Sequence, residues 1–293
     1  MSTVIRFTRE LSSWIGHNLD QGCAPDALIQ VMQEQQMEAG AAQAIIHAFV
    51  SARRNGGPVP IDHVIVDESS LDYQYQAPIF RPGSQIATSD RLVRVAARAD
   101  RPMLAVLSNV FSSEECAELI ALAKPRLTVS TIVDPMSGKD VVSGQRTSFG
   151  MFFRQQENSF IARLDQRIAE IMNLPLAHGE GLQILHYPAG AGSTPHFDFL
   201  VPSNPANQAS LARSGQRVST MVTYLNEVEG GGETVFPQAG WAVSPVRGNA
   251  VYFEYANTLG QLDHASLHAS NPVTQGEKWV ATKWMRQRPF VSA

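Results

Sequence analysis

Gln183-Ile184-Leu185-His186-Tyr187-Pro188-Ala189-Gly190-Ala191-Gly192-Ser193-Thr194-Pro195-His196-Phe197-Asp198-Phe199-Leu200 is the stretch on which the fold and chemistry of this 293-residue chain turn. Residues two apart in an extended strand point the same way, so His196 and Asp198 are expected to share a face with Phe197 turned from it. An imidazole and a carboxylate so held are two-thirds of a metal site. The third ligand has to come from a distant part of the chain, because two positions of one strand cannot supply a triangle of donors.

Two downstream histidines, His264 and His268, are candidates to complete it. Ten residues beyond His268 stands Lys278, in Gly276-Glu277-Lys278-Trp279-Val280-Ala281-Thr282-Lys283-Trp284. By strand parity Lys278, Val280, Thr282 and Trp284 share a face, which sets a lysine among apolar and aromatic side chains, where it requires an anion. Two histidines and a carboxylate on one side of a metal leave three positions open, as in non-haem iron(II) oxygenases. Open positions point to catalysis rather than structure. A zinc hydrolase could use the same donors, but it has no use for Lys278, and no general base stands out beside the ligands. A metal-binding sensor without catalysis is the alternative from another class.

The surroundings of this stretch read as β-structure. After Leu174 short strand patterns are expected near 182–187, 196–200, 218–225, 234–236, 250–255 and 279–286, which suggests a sandwich or barrel. Upstream, Ser112 followed by Glu115 forms a capping box that starts a helix, and Ile161, Leu164, Ile168 and Ile171 mark a second helix over 159–172. Segments 132–145 and 201–216 carry Pro, Gly and polar residues without periodicity and read as loops, the latter long enough to act as a lid.

The first 57 residues are different in kind. Leu11, Trp14, Ile15 and Leu19, then Leu28, Val31 and Met32, then Ile45, Ile46, Phe49 and Val50 recur at helical spacing, with Pro25 suited to a first turn and Asn55-Gly56-Gly57 to a stop. The expected organisation is therefore a helical module over 1–57, a linker with entry strands over 58–100, and the main domain over 101–293. The module, in which His17 and His47 stand isolated, is expected to serve contacts with a substrate protein or with a second copy of the chain.

Composition limits the partners. Hydrophobic residues make up 44%, charged residues 17%, and the formal net charge is −4, which gives nucleic acid no electrostatic footing. Two cysteines, Cys23 and Cys116, are too few for a disulfide framework and point to a reducing, cytoplasmic setting. No signal-peptide core and no run approaching the roughly 20 apolar residues of a membrane span is present, so no membrane partner is expected.

With these pieces in order, the segment from His186 to Arg286 resembles the catalytic core of the prolyl 4-hydroxylase family of iron(II)- and 2-oxoglutarate-dependent dioxygenases. The matching motifs are His186-Tyr187, His196-Phe197-Asp198, Thr220-Met221-Val222-Thr223-Tyr224-Leu225-Asn226, Gly231-Gly232-Glu233-Thr234-Val235-Phe236-Pro237, and Leu267-His268-Ala269 leading to Lys278-Trp279. Arg146-Thr147-Ser148 extends the likeness upstream, so that it covers roughly 101–288.

The resemblance implies a double-stranded β-helix, or jelly roll, with flanking helices. It implies Fe(II), 2-oxoglutarate and O2 as cofactor and cosubstrates, ascorbate as an accessory reductant, and hydroxylation of an unactivated carbon with release of succinate and CO2. By resemblance His196, Asp198 and His268 hold the iron, Lys278 pairs with the distal carboxylate of 2-oxoglutarate, and Tyr187 and Thr234 hydrogen-bond it. Arg146, Ser148, Arg217 and Trp284 match positions near the substrate, a proline-containing peptide or protein. Family members often carry a tyrosine three residues before the metal histidine; Ser193 stands there, which keeps a free amino acid or other small molecule as the alternative substrate.

Overall fold

The computed structural model describes residues 2–55, 57–67, 73–133, 140–142, 147–202 and 204–292. The chain divides into two compact units, Met1–Gln74 and Tyr75–Ala293.

The first unit has three helices, Arg9–Asp20, Pro25–Glu34 and Ala39–Asn55, as the periodicity predicts. Thr8 caps the first through its side chain, and Pro25 occupies the first turn of the second. Their apolar faces meet in a core of Ile15, Leu28, Ile29, Met32, Ala42, Ile45, Ile46, Phe49 and Val64. Val31, expected inside, is exposed and Ile29 is buried in its stead. The unit is not purely helical. Ser2–Arg6 pairs antiparallel with His63–Asp67, so a fragment expected to enter the main domain instead closes the first unit.

The second unit is antiparallel throughout its described pairings. A nine-stranded sheet runs, in spatial order, Gln85–Ala87, Leu92–Asp100, Met103–Ser108, Ala250–Glu254, Arg217–Tyr224, Lys278–Arg286, Leu182–Tyr187, Phe149–Phe153, Thr128–Val129. A four-stranded sheet runs Ser193–His196, His268–Ser270, Thr234–Phe236, Trp241–Val243. This is the jelly-roll architecture. The segment 75–100 supplies the expected entry strands to it. Two of its strands sit in the large sheet, and the backbone N–H groups of Ile79 and Phe80 donate to Glu254 while Phe80 stacks on Tyr252.

Burial explains the layers. Along Lys278–Arg286 every residue is buried, because both faces of a central strand are covered. Trp279, Ala281 and Met285 join the core shared with the helices Ser113–Ala123 and Ser159–Met172, where Leu119, Ile161, Leu164 and Ile168 also sit. Val280, with Leu185, Tyr187, Tyr224, Phe236 and Phe253, fills the inner core. The capping box at Ser112 and Glu115 is present. Glu115 has a second duty there, sharing the buried Arg167 guanidinium with Asp90 and so fastening the two helices together.

Three sequence expectations change. Segment 201–216 is not a loop but contains a helix, Pro205–Ser214, capped by Asn204, opened by Pro205 and closed at Gly215 with φ +71°. Its start and stop signals were in the sequence, masked by a low apolar content that gave no periodicity. In 132–145, Thr131–Val133 pairs with Asp140–Val142, a short ribbon rather than open loop, while 134–139 and 143–146 lie outside the described residues. Finally, the strand over His196 ends there: Ser193–His196 is extended and Asp198 lies in the bend after it.

Candidate active site

His196 and His268 are register partners across the antiparallel pair of Ser193–His196 and His268–Ser270, and their ring centroids stand 4.5 Å apart. The bend after His196 returns Asp198 to them. Its Oδ1 lies 3.9 Å from His196 Nε2 and its Oδ2 3.6 Å from His268 Nε2. Strand parity thus put the right residues together for a reason the structure replaces: cross-strand register and a bend do the work. The three residues form a group whose ligand atoms all lie within 4.8 Å of one another. His264, the other candidate, packs instead against Phe197 and Phe199, with ring centroids at 5.1 and 5.5 Å.

The orientation of each ring fits a metal. His196 Nδ1 stands 2.8 Å from the Thr194 carbonyl and His268 Nδ1 stands 3.1 Å from the Ser266 carbonyl. A ring donating from Nδ1 keeps its lone pair on Nε2, the usual preparation of a metal-ligating histidine. Lone pairs and carboxylate oxygens facing one another need a cation between them. Burial alone would raise the Asp198 pKa, yet positive charge on the His268 and His196 side, with Arg217 and a Thr220 hydrogen bond, outweighs it and brings it to about 2, so the site is built to place positive charge against this carboxylate. The donor set, two nitrogens and one carboxylate, suits iron(II) with positions left over.

Lys278 lines the same cleft, buried to 2% exposure. Its Nζ donates to the Gly232 carbonyl at 2.6 Å and to Ser270 Oγ at 2.9 Å, and the rings of Tyr187 and Tyr224 flank it. Burial drives its pKa down to about 7, against the pull of Glu233. Gly232 lies at φ +74°, and a Cβ there would come within 3.2 Å of the lysine stem. Tyr187 and Thr234 both line the cleft. Thr234 Oγ1 accepts from the buried Tyr224 hydroxyl at 2.8 Å, a support the sequence reading did not single out.

The remaining predicted residues fall around this centre unevenly. Trp284 lines the cleft, and its buried indole N–H has no partner among the described residues. Arg217 lies over the Trp284 ring at 4.1 Å, but its guanidinium is engaged by Glu180 through Nε at 2.7 Å and Nη2 at 2.8 Å. Ser148 is buried and donates to Ser130, and it is not among the residues lining the cleft. Arg146 lies outside the described residues. Glu180, Thr220 and Tyr255 are additions of the structure. They sit far from His196 in sequence, and only the Thr220 motif had been noted.

A jelly roll holding two histidines, a carboxylate and a buried lysine in one cleft defines a 2-oxoglutarate- and iron(II)-dependent oxygenase site. Residues 182–286 match the family model of the 2OG-Fe(II) oxygenase superfamily. The chain is 41% identical over 203 residues to the probable prolyl 4-hydroxylase 3 of Arabidopsis thaliana, spanning 63% of this chain and 69% of that protein. It is 42% identical over 202 residues to prolyl 4-hydroxylase 1 of the same plant, spanning 64% and 70%. The crystal structure of a viral collagen prolyl hydroxylase from Paramecium Bursaria Chlorella virus-1 aligns with TM-score 0.49 at 26% identity, over 62% of this chain and 95% of that one. The chain belongs to the prolyl 4-hydroxylase family. It is accordingly a dioxygenase that uses Fe(II), 2-oxoglutarate and O2. Among the described residues no helix is long and apolar enough to cross a membrane.

Proposed function

We propose that this enzyme hydroxylates a prolyl residue of a peptide or protein. The observation that carries this reading is the His196, Asp198 and His268 cluster in one cleft with Lys278, together with 41–42% identity to plant proteins named as prolyl 4-hydroxylases. Iron(II) with 2-oxoglutarate supplies the oxidation: one atom of O2 enters the substrate as hydroxyl, and 2-oxoglutarate becomes succinate and CO2.

The residues take the following parts. His196, Asp198 and His268 hold the metal, and the Nδ1 contacts of the two rings keep their Nε2 atoms turned to it. Lys278 pairs with the distal carboxylate of 2-oxoglutarate, which supplies the anion that its burial demands. Tyr187 and Thr234 hydrogen-bond the same molecule. At the mouth the His196 side chain is 45% exposed while Asp198 and His268 are each 7% exposed, so the substrate approaches from the His196 side. Trp284, with an indole N–H still to be satisfied, offers a donor to a substrate carbonyl. The family resemblance assigns Arg146, Ser148 and Arg217 to the substrate side, although Ser148 is bonded to Ser130 outside the cleft lining and the Arg217 guanidinium is held by Glu180.

The first unit serves contacts with the substrate protein or a second copy of the chain, ascorbate acts as accessory reductant, and the setting is cytoplasmic, in keeping with free Cys23 and Cys116. The test is mass spectrometry of proline-containing peptides incubated with enzyme, Fe(II) and 2-oxoglutarate. A single added oxygen on proline, absent with His196→Ala, is expected. Oxygen gained only by free amino acids would overturn the peptide reading.

A further inference from the structure

Within the strand Arg217–Tyr224, Arg217 and Thr220 are three residues apart and by parity should face opposite ways. Both nevertheless reach Asp198. The register against Lys278–Arg286 shifts between Arg217 and Ser219, a bulge that re-aims one side chain relative to the next. Arg217 Nη1 donates to the Asp198 carbonyl at 3.2 Å, and Thr220 Oγ1 donates to Asp198 Oδ2 at 2.7 Å. A threonine hydroxyl has one proton. With that proton committed to Asp198, the 3.0 Å contact between Thr220 Oγ1 and Tyr255 runs from the phenol to the threonine. Asp198, Thr220 and Tyr255 are 6%, 0% and 0% exposed, so bulk water does not compete for these bonds.

We infer that Thr220, backed by Tyr255, is the positioning residue for the iron site: it pins the Asp198 carboxylate against rotation and presents it to His196 and His268. Arg217, neutralised by Glu180, fixes the backbone of the same residue from the other side of the bulge. This rests on Asp198 being an iron ligand. Partners of this kind orient a carboxylate ligand before the metal arrives, and losing one typically weakens metal binding by about 10- to 100-fold.

The test is Mn(II) binding by the full chain, followed by electron paramagnetic resonance, with apo-protein unfolding recorded alongside. Thr220→Val keeps the shape and removes the hydroxyl; it should weaken Mn(II) about 10-fold or more, while Thr220→Ser should stay within about threefold of wild type. An unchanged Mn(II) affinity in Thr220→Val overturns the inference. So does equal weakening in both variants accompanied by a loss of apo stability, which would mean packing. Should Thr220→Val not fold, Tyr255→Phe, which leaves the hydroxyl in place without its support, must still weaken Mn(II) binding, and wild-type affinity there overturns the relay. Wild-type protein that fails to bind Mn(II) at all would instead remove the iron assignment on which the inference stands.

Discussion

Lys278 has three N–H donors and, among the described residues, two acceptors, Gly232 O and Ser270 Oγ, which leaves one donor for a ligand. A charge-assisted bond of this kind is worth about 1.5–3 kcal/mol, so Lys278→Ala should raise the KM for 2-oxoglutarate about 10- to 100-fold in substrate-uncoupled turnover while Mn(II) affinity stays near wild type. An unchanged KM would remove Lys278 from that role. Its pKa of about 7, lowered by burial, gives the pH dependence a sign. Only the protonated amine attracts the carboxylate, so the KM should be flat below about pH 7 and rise above it. The apo fold responds in the opposite sense: between about 7 and the ordinary lysine value of 10.5 the unfolded chain binds the extra proton, so this residue's contribution to stability improves as pH rises through that window. A KM that stays flat to about pH 9 would contradict the first, and an apo stability that does not gain between about pH 7 and 10 relative to Lys278→Met would contradict the second.

At the scale of elements, the helix Pro205–Ser214 between the metal strand and Arg217–Tyr224 is held by its C-terminal carbonyls. Arg286, 1% exposed, donates to Ser210 O and Gly215 O as well as to Glu180 Oε1, and Arg288 donates to Leu211 O and Ala212 O. Gln216 closes the entry by bonding both the N–H and the carbonyl of Leu200. Arg286→Met should therefore cost about 3 kcal/mol, the penalty of leaving buried partners uncompensated, measured as a shift of the denaturant midpoint. A shift under about 1 kcal/mol, the scale of exposed ion pairs, would show the helix to be held by other contacts.

At the scale of the molecule, each unit has its own core: among the described residues, a cluster of nine buried hydrophobics in the first and two larger clusters in the second. The fragment 75–293 should therefore unfold cooperatively on its own and keep iron-dependent conversion of 2-oxoglutarate to succinate, assayed by succinate release; loss of both would tie the catalytic fold to the first unit. Metal binds the folded state, so Mn(II) at about 100 times its Kd should add about 2.7 kcal/mol to stability, with a further gain from 2-oxoglutarate. A chelator should remove that gain, and thermal melting reads both.

What the sequence determined by itself was what local chemistry can encode. The spacing of apolar residues marked the three N-terminal helices, the Ser112 and Glu115 pair marked a helix start, and Leu182–Tyr187 and Lys278–Arg286 were legible as strands from their composition. The donors His196, Asp198 and His268 and the anion-seeking Lys278 were visible because each is chemically out of place in an apolar setting. The tertiary structure supplied the physical reason for His268 over His264, which the sequence offered only by family resemblance, because cross-strand register is a relation between segments some 70 residues apart, as the pairing of His196 with His268 shows. It alone gave Ser2–Arg6 its partner and made a helix of Pro205–Ser214. It also brought Arg217 to the Asp198 carbonyl, since an irregularity between Arg217 and Ser219 breaks the two-residue parity by which Thr220, Val222 and Tyr224 share a face. The residue types of the site are a property of the chain; their convergence on one point is a property of the sheet.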